Sequence, residues 1–498
     1  MSRVAAQSFP TIARRAHVKN PDRTTDQLWA YRGIVFCLLH IPLALLLSRS
    51  SVVSTLHAVA AAGVGVWWAL SAERNPLRVA YIGAYITGAE VLWRMTGALV
   101  FWEFGKYAIA AIFLIAILRS GRTKGPALML TYFVLLIPSI AIIVLRVGAE
   151  AKGYISFNLS GPLALTVAAW YFSRCKVTVE DVKRIFLAAV GPLIGIASIT
   201  FFAVYTARKL SFTSESNFVS SGGFGPNQVS AALGLGALLA LMFVLLGKTS
   251  YKLKLFMLGS MFLMAAQSAL TFSRGGLYNF AGAIAFSSVY LLRNVRTRRT
   301  LLFVAIMIFV MGSFVILPRL ENVTGGALES RFTNTDPTNR VEIIKDELRV
   351  WRRYPILGVG PGGSKFVGAS TAHTEFARLP AEHGILGVVA LLLLLIAAAK
   401  NIRKANSIEG KAIAVCLIGW SFLFMLNAAM RLAAPAFAFG LAFATVVPET
   451  GLNSKSLGLA LRIMTARLRQ KKQLRLQQIV ARGQTLNESS KSQSSYTA

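Results

Sequence analysis

Residues 186–206 read FLAAVGPLIGIASITFFAVYT, a run without a charged side chain. A helix needs about 20 mostly apolar residues to cross a bilayer, and this run is long enough. Comparable runs lie near 34–48, 52–71, 79–97, 106–119, 127–146, 158–173, 228–247, 254–272, 276–292, 301–317, 384–399, 411–427 and 431–447. They predict an all-α, polytopic transmembrane helical bundle of about 12–14 spans.

The composition indicates that lipid, rather than water, is the main solvent of this chain. Of its 498 residues, 55% are hydrophobic and only 15% are charged, and the mean hydropathy is +0.58. A water-soluble protein needs roughly a quarter of its residues charged to cover its surface. The cysteines, Cys37, Cys175 and Cys416, do not suggest a disulfide framework.

The basic residues concentrate in alternate loops. Lys and Arg number 53 against 20 Asp and Glu, which gives a net charge of +33. If the N-terminus is cytoplasmic, the cytoplasmic segments hold 35 of the 53 basic residues: 1–33, 73–78, 119–125, 174–185, 248–254, 293–299, 400–411 and 448–498. This positive-inside pattern predicts that both termini are cytoplasmic. It accounts for the charge without a nucleic-acid partner, and the basic stretch from Arg462 to Arg482 is interpreted as a helix that contacts anionic membrane lipids.

One long segment, Pro318 to His383, is predicted on the outer side of the membrane. It contains NRVEIIKDELRVWRRYP, in which Val341, Ile344, Leu348 and Trp351 form one apolar helix face. Thr338 and Asn339 offer an N-cap, and Pro355 ends the helix. The following PILGVGPGGSKF has Gly358 and Gly360 at a turn where the backbone can approach a ligand closely.

The predicted organisation therefore has five parts. These are a cytoplasmic N-terminal segment 1–33, a first part of the bundle 34–317, an extracytoplasmic catalytic loop 318–383, the last spans 384–447, and a basic, partly disordered cytoplasmic tail 448–498.

Three residues of the outer face are candidates for catalysis: Arg274, Arg340 and His373. Arginine is always charged and binds phosphate through two parallel hydrogen bonds, and histidine accepts a proton near neutral pH. Each also has a simpler explanation. Arg274 could anchor lipid headgroups, Arg340 could pair with Asp336 or Glu342, and His373 could be solvated.

Other charged residues are weaker candidates for a functional role. Arg208 and Lys209 lie at another outer turn and could bind an anionic substrate. Glu90 and Arg94 are four residues apart and are expected to pair along one helix face in a structural role. Glu382 and His383 fit the start of the next span at least as well as a catalytic role.

Four motifs at these positions resemble the O-antigen ligase and polymerase superfamily of bacterial membrane glycosyltransferases. They are GPNQVSAALGLGALLAL from Gly225, FSRGGLYNFAGAIAF from Phe272, NRVEIIKDELRVWRRYPILGVGPGGS from Asn339, and His373-Thr374 followed after nine residues by Gly384-Ile-Leu-Gly387. Thr374 stands where the family usually has Asn, Ser or Gln. Val388 and Val389 stand where ligases often have a pair of threonines.

The resemblance implies a GT-C-like bundle in a bacterial inner membrane that transfers a glycan from a polyprenyl-pyrophosphate carrier to a saccharide or lipid-linked acceptor. The implied reaction is inverting and metal-independent and needs no cofactor. His373 deprotonates or orients the acceptor hydroxyl, with Thr374 beside it, and Arg274 and Arg340 hold the pyrophosphate. Ligase and polymerase remain equally open.

A transporter or flippase for lipid-linked oligosaccharides is the alternative. Transporters tend to show repeated halves and charges at the membrane midplane. Acidic residues within the bundle would then control activity, whereas an enzyme would depend on arginine and histidine of the outer face.

Overall fold

The described part of the chain is almost entirely helical. The structure is a computed structural model and describes residues 23–72, 75–121, 124–207, 212, 215–333, 340–369 and 374–447. The helices are α1 Arg23–Leu47, α2 Ser51–Leu70, α3 Pro76–Met95, α4 Phe104–Arg119, α5 Ala127–Val134, α6 Ile140–Val147, α7 Ala151–Phe172, α8 Val179–Thr206, α9 Pro226–Leu245, α10 Tyr251–Leu270, α11 Gly275–Leu291, α12 Val295–Met311, α13 Leu317–Thr324, α14 Ala327–Thr333, α15 Arg340–Arg353, α16 Glu375–Lys404, α17 Ile408–Ala428 and α18 Ala434–Leu441. Two short strands, β1 Lys176–Val177 and β2 Thr445–Val446, pair in parallel. The predicted all-α fold is confirmed.

Within the described residues, eight helices are long and apolar enough to cross a membrane. They are Gln27–Leu47, Ser51–Leu70, Val179–Thr206, Pro226–Leu245, Tyr251–Leu270, Thr297–Thr324, Glu375–Lys404 and Ile408–Ala428. The other predicted spans fall on helices that are shorter, broken or less apolar, such as the 16-residue α4. The chain is therefore a multi-pass helical protein, and the total of about 12–14 spans stays a prediction.

Two predicted spans are broken in the structure. The run 127–146 forms two eight-residue helices, α5 and α6, because the turn between them contains Pro138, which has no backbone N–H to continue a helix. The run 431–447 forms the eight-residue α18 and then strand β2, which pairs with β1. Apolar composition alone overestimated the length of both helices.

The predicted outer loop is largely helical. The apolar helix that ends at Thr324 passes the predicted boundary at 317, and α16 begins at Glu375 rather than near 384. Glu382 and His383 end the first of the two helical segments of α16, so they still directly precede the segment that begins near residue 384, as predicted. The helix of α16 is kinked at Gly384, where φ is 62° and ψ is −141°.

The predicted amphipathic helix forms as α15, but its buried face is not the expected one. Glu347 and Val350 are buried, whereas Val341 is 46% exposed. Val350 packs in a small cluster with Val359 and Ala381. The carboxylate of Glu347 accepts a hydrogen bond from Ser364 Oγ, at 3.0 Å, so a polar partner lets this helix bury a charged residue type. The proposed caps Thr338 and Asn339 lie outside the described residues.

The loops predicted to be cytoplasmic lie at one end of the bundle, which we call the basic end. Trp29 of α1 stacks on Phe243 of α9, with ring centroids 6.1 Å apart. Lys183 Nζ lies over the Phe243 ring and donates to the carbonyl oxygen of Lys248, at 3.0 Å. Residues of segments 174–185 and 248–254 thus meet where α1 begins, which agrees with the predicted alternation of loops.

The opposite end contains the turn of Arg274 and the end of α17. There the predicted Glu90–Arg94 pair forms, with 2.7 Å between Oε1 and Nη2. Arg94 also donates to Gln228 Oε1 of α9, at 2.7 Å, so this pair connects helices as well as residues of α3. The described helices belong to one compact unit that ends at Val446.

Candidate functional site

The turn between α10 and α11 is held in place by α9. Phe272 has a positive φ of 57°, which is unusual for a residue other than glycine, and it is fully buried. The next residue, Ser273, donates from Oγ to Asn227 Oδ1, at 2.7 Å. Its carbonyl oxygen accepts from Ser230 Oγ, also at 2.7 Å. The first two motifs of the sequence are therefore in direct contact.

Two glycines allow α9 and α11 to approach each other. A Cβ atom on Gly276 would lie 2.0 Å from the carbonyl oxygen of Ser230, and one on Gly234 would lie 2.3 Å from that of Gly276. Neither position has space for a side chain. This close packing fixes Arg274, which immediately precedes α11, at the opposite end of the bundle.

Arg331 joins this turn from α14 and was not predicted from the sequence. Its Nε donates to the carbonyl oxygen of Phe272, at 3.0 Å. On the same helix, Leu328 packs with Ala269 and Phe272 in a buried cluster. The spacing of Leu328 and Phe332 around Arg331 indicates a short amphipathic helix, but the sequence does not show which turn that helix contacts.

Arg340, the first residue of α15, is bound to α17 and, through α17, is linked to α11. Its Nη1 donates to Asn427 Oδ1 of α17, at 3.0 Å. Asn427 Nδ2 in turn donates to Asn279 Oδ1 of α11, at 2.8 Å. Arg340 thus contacts a neutral amide rather than the expected Glu342, and the expected partner Asp336 lies outside the described residues.

Three arginines form what we call the arginine cluster: Arg274, Arg331 and Arg340. Their positive charges are close enough to repel one another. Burial and then the charges of Arg274 and Arg331 lower the pKa of Arg340. Burial and then Arg274 lower the pKa of Arg331, whereas Glu215 and Tyr278 act in the opposite direction. Guanidinium groups remain charged at neutral pH despite such shifts. Holding several cations together has an electrostatic cost that a bound anion would relieve.

The other predicted site residues are only partly described. His373, Arg208 and Lys209 lie outside the described residues. Thr374 is the N-cap of α16, where its side chain accepts from the backbone N–H of Phe376, at 3.2 Å. Phe376 is otherwise part of the apolar core.

Gly358 and Gly360 contact the protein's own backbone. Their φ angles are 67° and 83°, in the left-handed region that favours glycine. A Cβ on Gly358 would lie 2.4 Å from the carbonyl carbon of Glu382, and one on Gly360 would lie 2.8 Å from the nitrogen of Ile143. Packing is sufficient to require glycine at both positions, and their contact with a ligand stays a prediction.

A second group of charged residues lies on α16. It consists of Glu375, Arg378 and Glu382, and we call it the ion triad. Arg378 forms ion pairs with both carboxylates, at 2.5 Å to Glu375 and 2.7 Å to Glu382, and all three side chains are buried. Arg378 Nη1 also donates to Asn158 Oδ1 of α7, at 3.1 Å. Glu375 accepts from the backbone N–H of Met430, at 3.3 Å. The triad therefore connects α16 to α7 and to the end of α17.

Sequence analysis missed this triad although its spacing was visible. Glutamates three residues before and four residues after an arginine lie on one helix face. In the described residues, no group of three or more His, Cys, Asp or Glu side chains could hold a metal ion, and independence from metal stays a prediction.

A family model matches the segment of the chain that contains this site. Residues 259–392 match the family model described as O-antigen ligase. The matched segment includes the whole arginine cluster, the ion triad, Thr374 and the predicted base His373. The comparison with curated proteins finds no match. The family match supports a glycosyl-transferring activity in surface polysaccharide assembly. Residues 259–392 are therefore similar to O-antigen ligases, in a chain with eight described helices that could cross a membrane, and the resemblance predicted from the sequence is confirmed over that segment.

Proposed function

We propose that this protein is a membrane glycosyltransferase of the O-antigen ligase or polymerase type. It transfers a glycan from a polyprenyl-pyrophosphate carrier to a sugar hydroxyl during the synthesis of O-antigen, exopolysaccharide or capsule. The observation that supports this best is the arginine cluster, because its three cations lie together within the segment that matches the O-antigen ligase family.

The arginine cluster would act on the leaving group. As the bond between the anomeric carbon and the phosphate oxygen breaks, negative charge grows on the pyrophosphate. Arg274, Arg331 and Arg340 supply donors that are already oriented by α11, α14 and α15. Preorganised donors of this kind stabilise the transition state more than flexible ones in water. The cluster would thus lower the barrier to departure of the pyrophosphate.

The acceptor hydroxyl would attack the anomeric carbon on the face opposite the pyrophosphate. The new bond joins the acceptor oxygen to that carbon, the old carbon–oxygen bond breaks, and the configuration is inverted. His373 would take the proton of the hydroxyl, for which general base catalysis contributes about 10²–10⁴-fold. His373 directly precedes Thr374, the N-cap of α16, in the sequence.

The reaction would take place on the periplasmic or extracellular face of a bacterial inner membrane. The arginine cluster lies at the end of the bundle opposite the basic end, since α10 and α11 meet there and Asn427 is near the end of α17. Positive loops favour the cytoplasmic side. We infer from this rule that the basic end and both termini are cytoplasmic and that the cluster is outside.

Deletion of the gene, followed by complementation and profiling of surface glycans, tests this function. Wild type should restore the glycan, whereas Arg274→Ala and His373→Ala should fail although both proteins reach the membrane. Lys345→Met, which removes an exposed charge of α15 away from these contacts, should complement fully. Complementation by both Arg274→Ala and His373→Ala would overturn the proposal.

The glycan profile also separates the two reactions of the family. Loss of long chains with single repeats still attached indicates a polymerase. Loss of attachment with accumulation of lipid-linked polymer indicates a ligase.

A further inference from the structure

A cavity of about 290 Å³ lies beside the arginine cluster and is not used by the leaving-group chemistry. It is bounded by α7, the turn after α15, α16 and the residues that follow α17. Its polar lining includes Tyr154, Asn158, Ser364, Lys365, Arg378, Glu382 and Arg431. This volume is near the lower end of the range of small-molecule sites, about 300–1,000 Å³, so it suits one or two sugar rings.

The inner wall of the cavity is rigid. Arg378 and Glu382 are 4% and 2% exposed, and the ion pair between them is 2.7 Å long. Asn158 accepts a hydrogen bond from the same guanidinium and lines the cavity as well. Fixed amide and carboxylate groups of this kind are suited to the hydroxyl groups of a sugar, which both donate and accept hydrogen bonds.

Two further residues that line the cavity, Lys365 and Arg431, are positively charged. Lys365 is exposed, and its Nζ donates to Tyr154 Oη at 2.6 Å and lies 4.1 Å from the centre of the Tyr154 ring. Arg431 lines the same cavity. The ion triad carries one net negative charge, so these two cations leave the lining positive.

A buried lysine lies behind the wall, where the charges of Glu90 and Glu103 act on it. Lys106 Nζ lies 5.6 Å from the ring centre of Phe157, which lines the cavity. Lys106 is fully buried, and in the described part of the chain its Nζ has no hydrogen-bond partner. The lining therefore combines groups for neutral hydroxyls with the cations Lys365 and Arg431, which favours a ligand with one anionic group.

The cavity and the arginine cluster share the end of α17. Asn427 holds Arg340, and Met430, three residues later, lines the cavity. Three residues span at most about 11 Å even when fully extended. The residue that holds Arg340 and a residue that lines the cavity are therefore close to each other on one short segment.

We propose that this cavity binds the acceptor glycan through an acidic sugar, whose ring carboxylate is held by Lys365 and Arg431 and whose hydroxyls contact Asn158 and Glu382. This inference rests on the proposed function, since it assigns the acceptor of that reaction. A pyrophosphate fits this cavity less well than the arginine cluster, because it carries more negative charge than a single carboxylate and Glu382 also lines the cavity.

Binding to the full-length protein in lipid nanodiscs, without donor, tests the proposal. The probes are a disaccharide that ends in a uronic acid, the same disaccharide with its carboxyl group reduced to an alcohol, and inorganic pyrophosphate. Wild type should bind the acidic disaccharide about tenfold or more tightly than the reduced one, since hydrogen bonds to charged groups are the stronger kind. Lys365→Met should remove most of that preference and leave pyrophosphate binding unchanged.

Lys345→Met is the matched control, because it removes the same charge from an exposed position that does not line the cavity. It should keep the preference for the acidic disaccharide. Equal binding of both disaccharides by wild type would overturn the proposal. So would weaker pyrophosphate binding by Lys365→Met, which would assign the cavity to the donor.

Transfer assays separate this proposal from the proposed function. Transfer by wild type to acidic and reduced acceptors with equal KM would overturn the acidic acceptor alone. Selective binding of the acidic disaccharide without any glycan transfer would overturn both the function and the role of the cavity as an acceptor site. A higher acceptor KM in Lys365→Met, with kcat and donor KM unchanged, supports both.

Discussion

The arginine cluster and the ion triad use the same cation in opposite ways. In the triad, Arg378 lies between two buried carboxylates and donates to both. In the cluster, Arg340 donates to a neutral amide and Arg331 to a backbone carbonyl, and the arginines repel one another. Within the described residues, Glu215 is the carboxylate that offsets the charge of Arg331.

This difference indicates that the charges of the triad have a structural role, whereas those of the cluster are suited to binding a ligand. The triad satisfies its own hydrogen bonds, so it stabilises the contact of α16 with α7 and has little capacity left for an anion. In the cluster the charges of three arginines act on one another, an arrangement suited to binding a pyrophosphate. Disrupting the triad should therefore affect folding, and disrupting the cluster should affect catalysis.

The largest effect is expected from Arg378→Met. It leaves two buried carboxylates without their cation and should lower the free energy of unfolding by about 3–5 kcal/mol. The yield of folded protein and its melting temperature in nanodiscs measure this loss. Arg403→Met, at an exposed position of the same helix, is the control and should melt like wild type. A stable, fully folded Arg378→Met protein would contradict the structural role of the triad.

Arg331→Ala tests the cluster at the member that sequence analysis missed. Loss of one donor to the leaving group should reduce kcat by about 10²–10³-fold. The melting temperature should change little, because Arg331 donates a single hydrogen bond to Phe272. Arg319→Ala, at an exposed position of α13, should keep the activity of wild type. Wild-type kcat in the Arg331→Ala enzyme would limit the site to Arg274 and Arg340.

Asn427→Asp places a carboxylate beside an arginine of the cluster, as the glutamates of the triad lie beside Arg378. The new carboxylate would pair with Arg340 in place of the neutral amide, now 3.0 Å away, and so compete with the pyrophosphate. The donor KM should rise about tenfold, while the melting temperature is kept or raised. Asn427→Ala removes the amide without adding a carboxylate. It therefore shows how much of the change in donor KM comes from losing the contact that positions Arg340 rather than from the new negative charge. An unchanged donor KM in Asn427→Asp would show that Arg340 does not bind the donor.

Glu347 should affect stability alone, through a dependence of stability on pH. Burial and then the charge of Glu382 raise its pKa from 4.5 to about 8. The folded state then holds a proton that the unfolded state has released, so wild type should lose stability as pH rises from about 5 to 8. Glu347→Gln keeps the shape and removes the titration, so its melting temperature should fall less over that range. Parallel pH profiles of the two proteins would refute the raised pKa.

The sequence predicted the helical class and the family motifs well, because both are local signals. The run 186–206 lies within α8, and the predicted helix of Arg340 begins and ends close to its observed bounds. Helix breaks were less predictable. The turn at Pro138 interrupts a run that is apolar on both sides.

The site was predictable only where a residue belongs to a recognisable motif. Arg274 and Arg340 were found in this way, whereas Arg331 reaches the site through a contact with Phe272, 59 positions away in sequence. Glu347 was missed for a different reason. Helical periodicity assigns a carboxylate to the solvent face, but Ser364 provides a buried partner for it.

The central claim is that the arginine cluster binds the pyrophosphate. The dissociation constant of a short-chain polyprenyl pyrophosphate, measured on the full-length protein in nanodiscs, tests it most directly. Arg274→Lys keeps the charge but loses the planar fork that binds two phosphate oxygens, so we expect binding at least about tenfold weaker than in wild type. Equal dissociation constants for wild type and Arg274→Lys would contradict the claim.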